Sequence, residues 1–201
     1  MSEKFMIDLL DRVATYAWAG RVDNLECFRK GQFESKRWLV YEITKFQKHF
    51  KRVAVLGSWD SMLLYELMNK YATVDHWDFY DIDGGCHKRR DIYFDVNGMA
   101  PNYVSIEADV TTIFDAPEHC AQYDLIINPS CEHMKDIPAC AGPLYALTSN
   151  NYDKLEEHVN TIQDYRDLAV KNHINKVLYE GELRLPLYTR YCTVGYHEDD
   201  R

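Results

Sequence analysis

The chain has 201 residues, and its 32 acidic side chains against 23 Lys and Arg give a formal net charge of −9. That balance disfavours broad, sequence-independent binding to nucleic acid, which depends on Lys and Arg neutralising phosphates. A hydrophobic content of 46% with charges spread along the chain describes a folded domain rather than a disordered segment.

No run approaches the length of a membrane span, so no membrane partner is expected. The opening Met-Ser-Glu-Lys lacks the basic and apolar regions of a secretory signal. Six cysteines without a Cys-x-x-Cys pair read as thiols of a reducing compartment, and a cytoplasmic location is expected.

Residues 5–49 carry helical spacing. Phe5, Ile7, Leu9, Leu10, Val13 and Trp18 suggest one amphipathic helix, and Trp38, Leu39, Ile43 and Phe46 a second. The first strand, 52–56, is a short apolar run stopped by Gly57-Ser58. Behind it, 61–68 repeats apolar residues at three and four, which gives strand, turn and helix. A second strand, 74–80, ends in Asp81-Ile82-Asp83 with Gly84-Gly85 breaking the chain after it. Residues 86–102 have poor periodicity and are assigned to a loop with room for a short helix, in which His87-Lys88-Arg89-Arg90 reads as a solvated basic cluster. Strands follow at 103–107, 123–127 and 144–148, then a polar helical segment at 152–172. Two β-rich runs within 176–196 meet at Leu185-Pro186-Leu187 as a hairpin. Strands alternating with helices predict an α/β fold with a mainly parallel, seven-stranded sheet, helices on both faces and a C-terminal antiparallel hairpin.

Ligands of an open parallel sheet bind at the carboxyl ends of its strands. The residues found there are Gly57, Ser58, Trp59 and Asp60 after the first strand, Asp81, Ile82 and Asp83 after the second, and Asp109 and Val110 after the third. Asn128, Pro129, Ser130, Cys131, Glu132 and His133 follow the fourth. Gly57 permits a tight turn, and the amides opening the next helix present a positive end to a carboxylate or phosphate. Asp81, 24 residues further on, is placed to accept from both hydroxyls of a ribose, and Asp109 from an adenine amine. Together they outline an adenosine site.

The order Val53-Ala-Val-Leu-Gly57, Asp81-Ile-Asp83, Glu107-Ala-Asp109-Val and Tyr123-Asp-Leu-Ile-Ile-Asn128-Pro129 resembles the motifs of class I S-adenosylmethionine-dependent methyltransferases. More narrowly, Gly31-Gln-Phe-Glu-Ser35-Lys36-Arg-Trp38-Leu39, Ser58-Trp59, Cys131-Glu132-His133-Met134 and Ser149-Asn150-Asn151-Tyr152 resemble methyltransferase-like proteins of tailed bacteriophages, for which the location is the host cytoplasm. The resemblance implies a Rossmann-like domain at 50–201 that binds S-adenosylmethionine, with residues 1–49 as a helical extension packed on it. Gly57, Ser58, Trp59, Asp60, Asp81, Ile82, Asp109, Val110 and Asn128 are then the cofactor residues. The chain departs from the family at Trp59 and Ser61, where further glycines are usual, and at Val55, where an acid is usual. The turn must therefore be shaped differently.

Asn128-Pro129-Ser130-Cys131 resembles the Asn/Asp-Pro-Pro-aromatic loop of amino-group methyltransferases, whose first side chain and a backbone carbonyl accept from the target amine. Asn128 and Pro129 are thus catalytic candidates, and Glu132 and His133 are candidates to take up a proton. The partner is an unidentified substrate: a small molecule, a protein amine or a nucleobase. Cys131 would act as a nucleophile only with a lowered pKa. Ser149-Asn150-Asn151-Tyr152 lies on the same rim, where amides can hold a polar substrate. Glu132, His133 and His158 match no metal-ligand spacing, so no metal is expected. Two other readings remain open: a nucleoside-binding or structural protein that keeps the fold without catalysis, and an enzyme using a nicotinamide dinucleotide. The missing Gly-x-Gly-x-x-Gly spacing disfavours the latter.

Overall fold

The computed structural model describes residues 2–20, 25–114 and 116–199. Two helices, α1 (Glu3–Ala19) and α2 (Lys30–Phe46), precede β1 (His49–Leu56). There follow α3 (Met62–Tyr71), β2 (Thr73–Asp81), α4 (Gly84–Val96), β3 (Tyr103–Glu107), the short α5 (Val110–Ile113) and α6 (Pro117–Cys120), and β4 (Leu125–Asn128). β5 (Leu144–Asn150), α7 (Tyr165–Lys171), β6 (Lys176–Arg184) and β7 (Thr189–Tyr196) complete the chain.

The strands form one seven-stranded sheet in the order β3-β2-β1-β4-β5-β7-β6. The first five run parallel, and β7 pairs antiparallel with both β5 and β6. This is the α/β architecture expected from the alternation of strands and helices. The two crossovers after β1 build one half of the sheet, and β4 then starts the other half beside β1. The topology therefore reverses between β1 and β4, which is where an open α/β sheet leaves a crevice for a ligand.

Alternation along the strands sorts the core into two layers. Val53, Val55, Trp77, Phe79, Leu125 and Ile127 face the layer of α1 to α4, whereas Ala54, Leu56, Tyr80, Ile126 and Leu147 face Val110, Leu168 and Ala169 on the other side. Because both faces are covered, the central strands read as continuous apolar runs rather than as a polar-apolar alternation. β6, at the edge, is guarded by Lys176, Glu180, Glu182 and Arg184. Across the first layer, the Arg12 guanidinium of α1 donates to both oxygens of Glu66 on α3 at 2.6 and 2.8 Å, and Tyr93 of α4 donates to the same carboxylate at 2.6 Å.

Two segments differ from the sequence expectation. Residues 84–96 form α4, not a loop. Its buried side chains are Cys86, His87, Arg90, Tyr93 and Phe94, which recur at helical spacing once a histidine and an arginine are counted on the inner face. Asp83 caps it, accepting from Gly85 N at 2.8 Å. Conversely, only Tyr165–Lys171 of the segment 152–172 is helical. Leu155 and Val159 are exposed and Ile162 alone is buried, so 152–164 has no apolar stripe to hold a helix to the sheet. It crosses the strand ends as an irregular loop tied down by Asn160 N to Glu132 O and Ile162 N to Asn150 O, both 3.0 Å.

No helix among the described residues is long and apolar enough to cross a membrane, and no disulfide joins any of the cysteines there.

Candidate functional site

The chain leaves β1 through Gly57 in the left-handed region at φ +57°, and Trp59 and Ser61 follow at +45° and +49°. The usual family positions for further glycines thus keep a glycine-like backbone while carrying side chains, at a cost of about 1–2 kcal/mol each. Specific bonds hold the turn in place. Trp59 N donates to Asp81 Oδ2 at 2.7 Å, Ser58 N to Tyr80 O at 2.7 Å, and the Ser61 hydroxyl to Ser58 O. From below, the fully buried Arg90 donates to Ser58 Oγ at 3.3 Å and Trp59 O at 3.4 Å. It also donates to His87 Nδ1 and Ser105 Oγ, both at 2.7 Å, and lies 4.1 Å over the Phe79 ring. The basic cluster expected on a solvated loop therefore contributes two buried members, His87 and Arg90, because α4 turns them beneath the β1 turn.

An Nδ1 that accepts from a guanidinium must be unprotonated. Burial, and then the Arg90 charge, hold the His87 imidazole below its ordinary value. Between its folded pKa and the unfolded value of about 6.5 the unfolded chain binds more protons. Stability is complete above about pH 6.5 and falls as pH drops through the folded pKa. Urea titrations between pH 8 and 5 should show this fall, and His87→Gln, which keeps an acceptor without titrating, should flatten it. An unchanged slope in the variant would assign the loss to other groups.

Beyond the turn, a cavity of about 930 Å³ opens over the ends of β1 to β5, within the size range of small-molecule sites. Gly57, Trp59, Asp81, Ile82, Asp109 and Val110 line it, so six of the nine residues expected to hold a cofactor come together. Asp81 is anchored through both oxygens, accepting from Trp59 N and, at 2.9 Å, from Asp83 N. Each oxygen retains a lone pair for a ligand hydroxyl. Asp109 caps α5, accepting from Thr111 N at 2.9 Å and Thr111 Oγ1 at 2.7 Å. These bonds keep its carboxyl below the usual range. Ile82 is 73% exposed at the cavity edge, an apolar surface for a flat ring.

Ser58, Asp60 and Asn128 are not on the lining. Ser58 packs beneath the turn against Arg90. Asp60 is 1% exposed and pairs with Arg89 Nε at 2.7 Å, and burial raises its pKa. The Asn128 amide is buried and turned towards the loop itself: Oδ1 accepts from Ser130 N at 3.1 Å, and Nδ2 points to Met134 Sδ at 3.2 Å. The Pro129 carbonyl already accepts from Thr148 Oγ1 at 2.7 Å and Arg190 Nη1 at 2.9 Å. Glu132 and His133 do line the cavity. The Cys131 thiol is buried and pushed well above its ordinary value, which removes thiolate chemistry.

Two lining residues, Arg190 and Gln32, were not read from the sequence as site residues. Arg190 is 5% exposed on β7 and bonds Glu132 Oε1 at 3.2 Å, while Asn150 Nδ2 bonds the same oxygen at 2.6 Å. The available signal was an arginine inside the apolar run of a strand. Gln32 on α2 reaches the cavity and accepts from Lys36 Nζ at 2.5 Å; that nitrogen lies 6.0 Å from the Trp59 ring. Burial lowers the Lys36 pKa to about 8.

Gly57 offers a direct probe. A Cβ there would stand 2.5 Å from Met134 Cε, itself on the lining. Gly57→Ala should cost about 1–2 kcal/mol in backbone strain and push Met134 across the cavity. A thermal melt would show the first effect, and ligand titration the second.

No family model matches the sequence, and no curated protein is similar to it. Solved structures are similar. TrmK of M. capricolum, in complex with the natural cofactor product S-adenosylhomocysteine, aligns over 81% of this chain and 70% of its own, with a TM-score of 0.51 at 12% identity. A protein of Galdieria sulphuraria assigned as a sarcosine dimethylglycine methyltransferase aligns over 92% of this chain and 96% of its own, with a TM-score of 0.58 at 14% identity. The fold is that of S-adenosylmethionine-dependent methyltransferases. TehB of Haemophilus influenzae aligns with a TM-score of 0.58 at 10% identity over 79% of this chain, which spans 61% of TehB. At such identities the likeness is one of fold, and any chemistry has to be argued from the residues.

Proposed function

We propose that the chain binds S-adenosylmethionine across the strand ends and transfers its methyl group to an amino group of an acceptor held between the cofactor and the Glu132-His133 side of the cavity. One observation carries this reading: Gly57, Asp81 and Asp109, at the ends of three neighbouring parallel strands, face a single cavity. Asp81 accepts the ribose hydroxyls, Ile82 and Val110 enclose the adenine, Asp109 accepts its amine, and Trp59 walls the side towards α2. S-adenosylhomocysteine in TrmK, on the same fold, supports the choice of nucleoside. Methyl transfer from a sulfonium is an in-line displacement, so the protein's tasks are alignment, exclusion of water and removal of a proton.

Amine recognition shifts away from the loop that suggested it. Asn128 is buried off the cavity lining and the Pro129 carbonyl already accepts two hydrogen bonds, so the acceptor meets Glu132, His133, Asn150 and Tyr152 instead. The narrower resemblance to tailed-bacteriophage proteins names no acceptor. Isothermal titration with S-adenosylmethionine and S-adenosylhomocysteine tests the reading, and saturable binding of both is expected. Absence of binding to either at millimolar concentration would refute it. Binding without transfer of a labelled methyl to any component of a cell extract favours the non-catalytic alternative.

A further inference from the structure

Glu132, His133 and His158 are separated by up to 26 positions in the sequence but meet in space, each offering one ligand atom within 4.8 Å of the others. We propose that they form a site for a divalent first-row transition-metal ion, with open coordination positions towards the cavity. The site stands on geometry that is independent of methyl transfer.

Three observations beyond proximity support it. First, the Glu132 carboxylate is 1% exposed, and its Oε1 is held by Asn150 and Arg190, while Oε2 is buried with no hydrogen-bond partner. A buried carboxylate oxygen without a donor is costly, and a cation supplies the missing partner. Second, His158 Nδ1 lies 2.5 Å from Tyr152 O. A carbonyl only accepts, so in the neutral ring Nδ1 carries the proton and Nε2 keeps its lone pair. A metal-binding histidine is commonly oriented by such a bond. Third, Asn160 N donates to Glu132 O at 3.0 Å, which pins the loop carrying His158 to the segment carrying Glu132 and His133. The two imidazoles meet edge to face, with centroids 4.6 Å apart.

The donor set selects the ion. Two imidazoles and one carboxylate suit Zn²⁺, Co²⁺ or Fe²⁺, whereas Mg²⁺ and Ca²⁺ require several oxygens. Arg190 on the other oxygen of Glu132 lowers the negative charge of the site, which further favours nitrogen-binding ions over hard ones. Bonds of about 2.0–2.1 Å at tetrahedral angles place donors about 3.4 Å apart, so the side chains must close in slightly, and exposed His133 is free to turn. Three protein ligands leave at least one position for a donor from a second molecule in the cavity, as in catalytic zinc sites. The short spacing of Glu132 and His133 gave no metal motif because the third ligand comes from the irregular loop that replaces the expected helix.

The test is titration of chelator-treated full-length protein with Co²⁺, followed by visible d–d absorption and calorimetry, alongside His133→Ala and His158→Ala. A single site per chain is expected, with the intense absorption of a four- or five-coordinate ion, Zn²⁺ displacing Co²⁺. Each substitution should weaken binding by at least the ~10–100-fold typical of losing an outer-shell partner. Failure of the unsubstituted protein to take up Co²⁺, or uptake that neither substitution changes, overturns the site. S-adenosylhomocysteine titrated into the same metal-free protein reads the cofactor pocket separately, so loss of one proposal is distinguishable from loss of the other.

Discussion

Replacing Asp81 with alanine is expected to lower affinity for S-adenosylhomocysteine by two to four orders of magnitude. Each hydrogen bond from a ribose hydroxyl to a carboxylate is worth about 1.5–3 kcal/mol, so losing both gives about 3–6 kcal/mol, roughly 10²- to 10⁴-fold in Kd. A second effect adds to the first. Asp81 also receives Trp59 N and Asp83 N, so its removal releases a turn in which Trp59 and Ser61 already occupy left-handed backbone. Protein stability should therefore fall together with affinity. Asp109→Ala makes the comparison informative. That side chain is exposed and caps only the four-residue α5, so a small loss of stability from the missing cap should accompany a smaller loss of affinity. Calorimetric titration of both variants decides the assignment: equal losses at the two positions would remove the ribose role from Asp81.

The sheet was legible because covered strands leave a plain signature. Val53 to Leu56, Leu125 to Ile127 and Leu144 to Leu147 are apolar at successive positions, and both of their faces are buried. Strand ends followed from the same runs, and so did Gly57, Asp81 and Asp109. Legibility failed where a buried face is polar. Arg90 and His87 occupy inner positions of α4, and a pattern scored on apolar residues alone passes over them. It failed again at 152–164, whose polar sequence suits a helix by propensity but has only Ile162 to bury. Burial, more than propensity, decides such cases.

The Asn128 loop shows a different limit. Its residues were visible in order, but whether Asn128 Oδ1 and Pro129 O are available depends on partners 2 to 61 positions away in sequence: Ser130, Thr148 and Arg190. No local motif records whether an acceptor is already occupied. Backbone geometry at Trp59 is the converse case. The missing glycines suggested a different turn, yet the left-handed conformation persists because Asp81, Arg90 and Ser61 supply bonds to hold it.

Arg190 carries the second large expectation, since it ties together the segments on one side of the cavity as Asp81 ties the turn on the other. Its guanidinium reaches Pro129 O, Thr148 Oγ1 and Glu132 Oε1 from a position 5% exposed, facing a carboxylate 1% exposed. Arg190→Met removes the positive partner and leaves Glu132 charged and buried with Asn150 as its remaining donor on Oε1. Breaking a buried ion pair in this way costs about 3–5 kcal/mol, so the urea midpoint should fall steeply. The cost lies in the stranded charge more than in the lost attraction. Adding Glu132→Gln should therefore recover much of the stability, leaving the double variant well above the sum of the two single losses. If instead the losses simply add, the two side chains are not coupled, and the engaged Pro129 carbonyl rather than Glu132 is what Arg190 sustains. The same pair of variants bears on the chemistry. The proposed metal ion needs Glu132 Oε2 unclaimed, and Arg190, by bonding only Oε1, leaves it so.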